Sequence, residues 1–293
     1  RVKVILNDIE PYYLDFTYQK SVENDYQGDE SDADFDAYYL HGFYTGEDLL
    51  AGLLWGYYDD ATGEVAGTAD YKANYWLFNP YVQGTHGPLA YMAEAQWRTG
   101  DYRDFADATD DRDYDSWRWI ADVAFNADVA TVGAGWAHSD GQEFGENDFT
   151  NADGGGADWE PFLILTHNYA NHNLGGQGNL NPDNSSQLIK DLGFDIYYVY
   201  GSMVPMEKLT LSAILGWAYA AEDNPNAAGG TKVDDEMGWE FDIGAKYQVM
   251  DNLSYDVKLG YFSPGDLWEE PAVGGADYDD ATWSVMHSLV VTF

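Results

Sequence analysis

The sequence predicts an all-β fold, an antiparallel transmembrane β-barrel of about twelve strands with short periplasmic turns and long acidic extracellular loops. Three observations support this prediction. Apolar and polar residues alternate with a period of two, short turns alternate with long links, and aromatic residues are frequent, with 24 Tyr, 13 Phe and 11 Trp in 293 residues. Alternate side chains of a strand point to opposite faces, and a membrane barrel turns the apolar set toward lipid and the polar set toward its lumen.

The alternation is clearest in the C-terminal third of the chain. Every second residue from Met237 to Val249 is apolar, and the same holds from Leu253 to Tyr261 after a tight turn at 250–252. Strands of soluble sheets usually have about five or six residues, so two adjacent segments of this length favour membrane strands. Similar alternation marks four upstream segments, which are 49–57, 89–97, 117–125 and 209–219.

The connections between these segments alternate in length. Short turns are predicted near 46–48, 84–87, 126–128, 205–207 and 250–252. Long links are predicted near 20–34, 59–70, 99–113, 221–235 and 264–279. If the chain ends in the periplasm, all the short turns fall on the periplasmic side, as in outer-membrane barrels. With the first strand placed within 2–19, this arrangement gives about twelve strands in one domain, 1–293.

The segment 141–189 does not fit the simple pattern. It contains the apolar run 159–165, whose Pro161 disfavours a central strand because proline cannot donate to the ladder. We interpret 141–189 as a long outer loop folded into the lumen. The alternative is an additional hairpin, which would give fourteen strands.

Composition excludes several classes of protein. The formal net charge is -39, from 52 acidic and 13 basic residues, so nucleic acid is excluded as a partner because phosphate binding needs basic patches. The chain has no cysteine and therefore no disulfide or thiolate metal site. No run of about 18 apolar residues is present, which is the length that a membrane-spanning helix requires.

The last strand, 279–293, ends in phenylalanine with apolar residues at alternate positions before it. Phe293, Val291 and Leu289 resemble the C-terminal signature of outer-membrane barrels, which the barrel assembly machinery recognises, although His287 departs from the usual residue type. The segment 238–266 resembles the closing hairpin of alginate-export-type porins. This resemblance implies the outer membrane of a Gram-negative-type bacterium. Members of that family have a basic lumen for anions or polysaccharides, and the acidic charge of this chain departs from it.

Parity along the strands predicts which charged residues line the lumen. The basic residues of this set are Lys72, Arg98, Arg118, Lys246 and Lys258. Its acidic residues are Asp15, Asp36, Glu94, Asp122, Asp195, Glu240, Asp242 and Asp256. Because rings of charge set the selectivity of wide pores, this pattern predicts a porin for ions or small solutes that favours cations. The alternative is a non-conducting structural, adhesion or scaffold barrel whose acidic loops bind a partner or divalent cations.

The sequence does not predict an enzyme or a bound cofactor. None of the six histidines stands in a recognisable nucleophile–base motif, and only His167 and His172 are clustered. Loop-bound calcium is a further hypothesis, since 107–115 and 147–158 supply many oxygen donors, although neither matches an EF-hand loop. The expected partners are outer-membrane lipid, the barrel assembly machinery, small solutes or cations, and a second copy or a partner protein at the outer loops.

Overall fold

Thirteen antiparallel strands, hydrogen-bonded in the order of the sequence, form one sheet in the described part of the chain. The structure is a computed structural model that describes residues 1–6, 9–23, 34–62, 71–105, 111–142, 148–150, 161–166, 192–222, 234–269 and 280–292. The all-β antiparallel class predicted from the sequence is confirmed. The strands are β1 (Val2–Leu6), β2 (Tyr12–Val22), β3 (Phe35–Thr45), β4 (Leu49–Asp60), β5 (Tyr71–His86), β6 (Leu89–Phe105), β7 (Arg112–Asn126), β8 (Ala130–Ser139), β9 (Phe194–Met206), β10 (Leu209–Tyr219), β11 (Glu236–Met250), β12 (Leu253–Pro264) and β13 (Thr282–Val291).

The N-terminal segment differs from the prediction. A single strand was expected within 2–19, but β1 and β2 form an antiparallel pair there, with Val4 opposite Phe16. The structure therefore has thirteen strands in its described residues, whereas the sequence predicted about twelve. The additional strand is short, and its Val-Lys-Val-Ile-Leu sequence alternates too briefly to be separated from the strand that follows.

The short turns fall where the sequence predicts them, between each odd-numbered strand from β3 to β11 and the next even-numbered one. Hairpin turns of two residues require positive φ, which suits glycine best. Gly87 has φ 59° in the turn between β5 and β6, and Lys208 has φ 75° between β9 and β10. The links from even-numbered to odd-numbered strands are longer, and most of their residues lie outside the described ranges.

The chain divides into two compact units. Unit 1 comprises Arg1–His86, Met92–Ile120 and Gly145–Ala152. Within unit 1, one face carries Phe16, Leu40 and Trp76, which are 44%, 38% and 37% exposed. The opposite face is polar. There Asp15 lies 3.1 Å from Lys3 Nζ, and His41 Nε2 is 2.9 Å from the Tyr81 hydroxyl.

Unit 2 comprises Gly87–Tyr91, Ala121–Phe144 and Asp153–Phe293. Within unit 2, the apolar face carries a row of aromatic side chains, with Trp136 opposite Tyr197 and Tyr197 opposite Trp217. The polar face carries Asp122, Tyr198 and Glu240. A single turn of 3-10 helix, Asp266–Glu269, follows β12. No helix in the described ranges combines the length and the apolar character needed to cross a membrane.

Three described stretches belong to the exceptional segment 141–189, and they are 141–142, 148–150 and 161–166. In unit 1, Phe149 forms an isolated parallel bridge with Tyr114, and the Phe149 amide donates to the Asp113 carbonyl at 2.7 Å. In unit 2, residues 161–166 form a bend without strand pairing. None of these stretches is part of an additional hairpin, and the rest of 143–191 lies outside the described residues.

Glycines on β8 make room for aromatic rings from β9. Gly135 and Gly133 are the direct partners of Tyr198 and Tyr200, and a methyl group at either glycine would collide with the tyrosine ring opposite. The rings therefore lie flat across β8, and both hydroxyls donate to the Asp122 carboxylate on β7, at 2.9 Å and 2.7 Å.

We predict that Gly135→Val lowers the free energy of unfolding by about 1–3 kcal/mol, because the added side chain overpacks the ring of Tyr198. Urea titration of the refolded protein would measure this change. Gly42→Ala is the matched control, since its added methyl group would meet nothing nearer than Leu14 Cδ1 at 3.4 Å. Equal stability of the two variants would contradict the predicted packing.

Candidate site on the polar face of unit 2

Residues 161–166 pack onto the polar face of β9–β12, and 162–166 are almost completely buried. Phe162 is 1% exposed and Leu165 is 2% exposed. The interpretation that 141–189 is a long outer loop folded into a lumen stays a prediction. We name residues 161–166 the inserted segment.

Two carboxylates of β11 hold the backbone of the inserted segment. The Leu163 amide donates to Asp242 Oδ2 at 2.8 Å. The amides of Ile164 and Leu165 donate to Glu240 Oε1 and Oε2, at 2.7 Å and 2.6 Å. Successive amides aimed at one anionic group form an anion-binding concavity. Hydrogen bonds to charged groups contribute more stability than neutral ones, about 1.5–3 kcal/mol each.

Strand register explains why both carboxylates reach the same segment. Glu240 and Asp242 are two residues apart on β11, so their side chains leave the same face of the sheet. Gly216 lies opposite Glu240 on β10, and Gly260 lies opposite Asp242 on β12. The Phe162 ring occupies the space over Gly216, and Leu163 lies over Gly260. The two glycines leave the depressions into which the inserted segment fits.

Apolar side chains surround the remainder of the inserted segment. Phe162 meets the Tyr198 ring edge-on, with ring centroids 6.2 Å apart. Trp268, from the 3-10 turn, packs beside this cluster and donates its indole N–H to the Met237 carbonyl at 2.6 Å. The buried members of the cluster are Phe162, Leu165, Leu192, Ile196, Tyr198, Ala218, Ala220, Met237 and Leu267.

The carboxylates at this site are desolvated. Glu240 is fully buried and Asp242 is 7% exposed. The described backbone donors to Glu240 are the two amides named above, and Asp242 Oδ1 accepts no hydrogen bond from a described donor. Because burying a carboxylate without donors is costly, the amides of the inserted segment offset part of this cost.

The structure places six of the predicted lumen residues on the polar face of unit 2. They are Asp122, Glu240, Asp242, Lys246, Asp256 and Lys258. Lys246 lies directly opposite Asp256, and Lys258 lies opposite Gly244. Of these six residues, only Glu240 and Asp242 accept described hydrogen bonds from the inserted segment.

Four other predicted residues, Asp15, Glu94, Arg98 and Arg118, have the expected parity in unit 1. Glu94 accepts a hydrogen bond from Asn79 at 3.0 Å, and Arg98 lies four residues further along the same face of β6. Arg118 shares its face of β7 with the buried Ser116, whereas Trp117 on the opposite face is 45% exposed.

Lys72, Asp195 and Asp36 were predicted to lie on the polar face, and for these three residues the prediction is wrong. Lys72 shares its face of β5 with the exposed Trp76. Asp195 lies on the apolar face of unit 2, where it accepts the indole N–H of Trp136 at 2.7 Å and lies 3.1 Å from His138 Nδ1.

Asp36 lies with Tyr18 on the face of unit 1 that carries Phe16, and it accepts the Tyr18 hydroxyl at 2.8 Å. Each of these three residues is the second residue of its strand. A charged side chain reaches solvent from either face at a strand end, so charge does not indicate the orientation there.

The other predicted positions fall on the last strand and in the loops. Leu289 and Val291 lie on the exposed face of β13, opposite Tyr255 and Leu253, and are 62% and 52% exposed. Phe293, His167 and His172 lie outside the described residues, as do 107–110 and most of 147–158. In the part of the chain that the structure describes, no three His, Asp or Glu side chains are grouped to hold a metal ion.

Sequence reasoning missed the donors of the site, which are backbone amides of Leu163, Ile164 and Leu165. Amide groups carry no sequence signal, and only their position opposite Glu240 and Asp242 identifies them. Sequence reasoning also missed that the Tyr198 and Tyr200 hydroxyls both donate to Asp122. Aromatic residues occupy both faces of β9, so their positions in the sequence do not indicate this contact. Glycines opposite aromatic residues could have indicated these contacts if the strand register had been known.

No protein-family model matches the chain, and no curated protein matches it. Solved structures with some similarity include the FrpB iron transporter of Neisseria meningitidis, at 13% identity and a TM-score of 0.45 over 90% of this chain. The chain spans 43% of that protein. OmpT, an outer-membrane protein of Vibrio cholerae, matches at 14% identity and a TM-score of 0.38, over 98% of this chain and 99% of its own. The Pseudomonas toluene transporter TodX, from P. putida, matches at 8% identity and a TM-score of 0.33, over 88% of this chain and 74% of its own. At these scores, neither a substrate nor a mechanism is carried over.

We predict that Glu240→Gln combined with Asp242→Asn speeds hydrogen exchange of the 163–165 amides about tenfold to a hundredfold, because charged acceptors are replaced by weaker, partly donating groups. Exchange measured by mass spectrometry on peptides that cover 161–166 would test this. Asp256→Asn, on the same face but opposite Lys246, is the control. Unchanged exchange in the double variant would contradict the assigned role of the carboxylates.

Proposed function

We propose that this chain is an outer-membrane β-barrel porin for the passive passage of ions or small solutes. One observation carries the proposal: the strands expose large apolar side chains on one face and place charged residues on the other. In unit 2, for example, Val199, Ile243 and Val285 are 47%, 45% and 70% exposed. Such a surface is unfavourable in water and suits hydrocarbon, whereas the charged face suits an aqueous lumen.

Aromatic rows on the apolar face support placement in a membrane. Trp239, Tyr261 and Trp283 are neighbours on β11–β13, with ring centroids 5.3 Å and 4.6 Å apart. Nearer the short turns, Tyr247 lies opposite Tyr255. From Trp239 to Tyr247 the distance along β11 is about 27 Å at ~3.4 Å per residue. A strand tilt of roughly 40° reduces it to about 20 Å, close to the ~25 Å apolar band of outer-membrane barrels.

The charge of the chain supports passage of cations. The net charge is -39, and an acidic field raises the local concentration of cations near a pore. The polar faces nevertheless carry basic residues, among them Arg98, Arg118 and Lys258, which would moderate that preference. No catalytic group is part of this proposal.

A second function is favoured by the inserted segment. Because its apolar residues fill part of the polar face of unit 2, they would obstruct a lumen, as in a non-conducting barrel. Under this alternative the chain is a structural, adhesion or scaffold barrel. Its acidic loops would then bind a partner protein, a second copy or divalent cations such as calcium.

The proposed location is the outer membrane of a Gram-negative-type bacterium. Outer-membrane lipid would contact the apolar face, and Leu289, Val291 and Phe293 would form the signature that the barrel assembly machinery recognises. The resemblance of 238–266 to the closing hairpin of alginate-export-type porins is consistent with this location and stays a prediction. A transported solute is not assigned by it.

Planar-bilayer recording separates the two functions. For a porin we expect stepwise current with a reversal potential that indicates cation selectivity under a salt gradient, because the net charge is acidic. Empty vesicles and heat-unfolded protein are the controls. A barrel that inserts but stays sealed at every voltage would contradict the porin and favour the structural alternative.

Neutralising basic residues of the polar face should increase cation preference. We predict that Arg98→Gln and Arg118→Gln each shift the reversal potential toward the cation equilibrium value, because each removes one positive charge from the ion path. Lys72→Gln removes the same charge from the apolar face of unit 1 and is the matched control. If the two arginine variants keep the original reversal potential, these residues do not line the path.

A further inference from the structure

The inserted segment occupies a cradle in unit 2 with two distinct halves. One half is apolar and accommodates the Phe162 ring over Gly216, edge-on to Tyr198. The other half is acidic and consists of Glu240 and Asp242, which accept three amide hydrogen bonds. The segment therefore presents an aromatic ring and a set of N–H donors side by side.

The apolar half has the shape of a ring-binding site. Gly216 has no side chain at the position where the ring lies, and a methyl group there would collide with Phe162. Ile196 and Ala218, both fully buried, belong to the same apolar cluster. Edge-to-face contact with an aromatic ring adds stability beyond that of the buried apolar area.

The carboxylates of the acidic half can accept more hydrogen bonds than the inserted segment donates. Asp242 is more than nine-tenths buried, and its Oδ1 lies near Gly260 without a described hydrogen-bond partner. The three amides are neutral donors and bring no positive charge to the pair. Lys258, on the same face of β12, attracts Asp242 electrostatically but forms no ion pair with it among the described residues. A cationic group would satisfy this half better than the amides do.

We propose that the cradle is a binding site for small aromatic ammonium ions, which the inserted segment occupies in their absence. The ring of such a ligand would replace Phe162 over Gly216, and its ammonium group would donate to Glu240 and Asp242. Aromatic carboxylates are disfavoured by the like charge of the acidic half. Alkyl ammonium ions lack the ring contact with Tyr198.

This inference deepens the proposed function, because it names the class of solute that the polar face would select. Binding and passage are nevertheless separate properties. A barrel that never conducts could still bind the ligand, and an open porin could lack the site. A measurement of binding on the purified, detergent-solubilised protein therefore distinguishes failure of this inference from failure of the porin proposal.

Isothermal titration calorimetry with phenethylammonium as the probe tests the site. Hydrocinnamate, which has a similar size and the opposite charge, and butylammonium, which lacks the ring, are the comparison ligands. We expect saturable binding of phenethylammonium and affinities at least about tenfold weaker for both comparison ligands, because each loses one of the two sets of contacts. Equal heats for phenethylammonium and hydrocinnamate would overturn the assignment.

Variants separate the two halves of the cradle. Glu240→Gln with Asp242→Asn should weaken phenethylammonium binding at least about tenfold through loss of the charged acceptors. Gly216→Val should weaken it by filling the ring position. Asp256→Asn, on the same face, is the matched control and should bind normally. Normal binding by the double variant would refute the site.

Hydrogen exchange of the unmodified protein gives a test that does not depend on the folding of any variant. If the ligand displaces the inserted segment, saturating phenethylammonium should increase exchange of the 163–165 amides at least severalfold. Hydrocinnamate at the same concentration should not change it. Binding of phenethylammonium with unchanged or slower exchange at these amides would place the ligand elsewhere and overturn the proposed displacement.

Discussion

Antiparallel backbone pairing is the constraint on which the rest of this molecule depends. Each strand must satisfy its amides and carbonyls through its neighbours, and this pairing fixes a period of two for the side chains. Once Gly216 is paired with Glu240, for example, Trp217 and Phe241 are directed to the other face. The separation of an apolar and a polar face therefore follows from the ladder, and the proposed membrane and lumen surfaces follow from that separation.

Desolvation is the second constraint, and it acts on the polar face of unit 2. Two carboxylates on neighbouring positions of one strand face cannot be buried without donors. In this protein the donors are backbone amides of a segment that is remote in sequence, since each amide is 75 to 79 positions before its acceptor. The position of the inserted segment is thus determined by the acceptors of β11 as well as by its apolar side chains. This dual requirement is the reason that the segment resembles an aromatic ligand with N–H donors.

Aromatic rings lie over glycine residues at several positions on the polar face of unit 2. Tyr198 and Tyr200 extend over the glycines of β8 to reach Asp122, and Phe162 lies over a glycine of β10. In each case the absence of one side chain makes room for a ring that forms a specific polar or edge-on contact. Glycine is conformationally costly within a strand, and these contacts provide the compensating interaction at those positions.

The sequence predicted the strand period, the short turns and the sheet face of most charged residues in strand interiors. These features are local, because alternation and turn chemistry depend on neighbours in the chain. It did not separate β1 from β2, since five residues are too few to define a period. It also misassigned Lys72, Asp195 and Asp36, because a charge at a strand end is solvated on either face.

Which residues meet across strands depends on how the whole chain folds. The contact of Glu240 and Asp242 with the amides of 163–165, and that of Asp122 with two tyrosines, depend on register. Register is a non-local property, set by the whole ladder, and a single-residue slip would place every one of these groups on the opposite face.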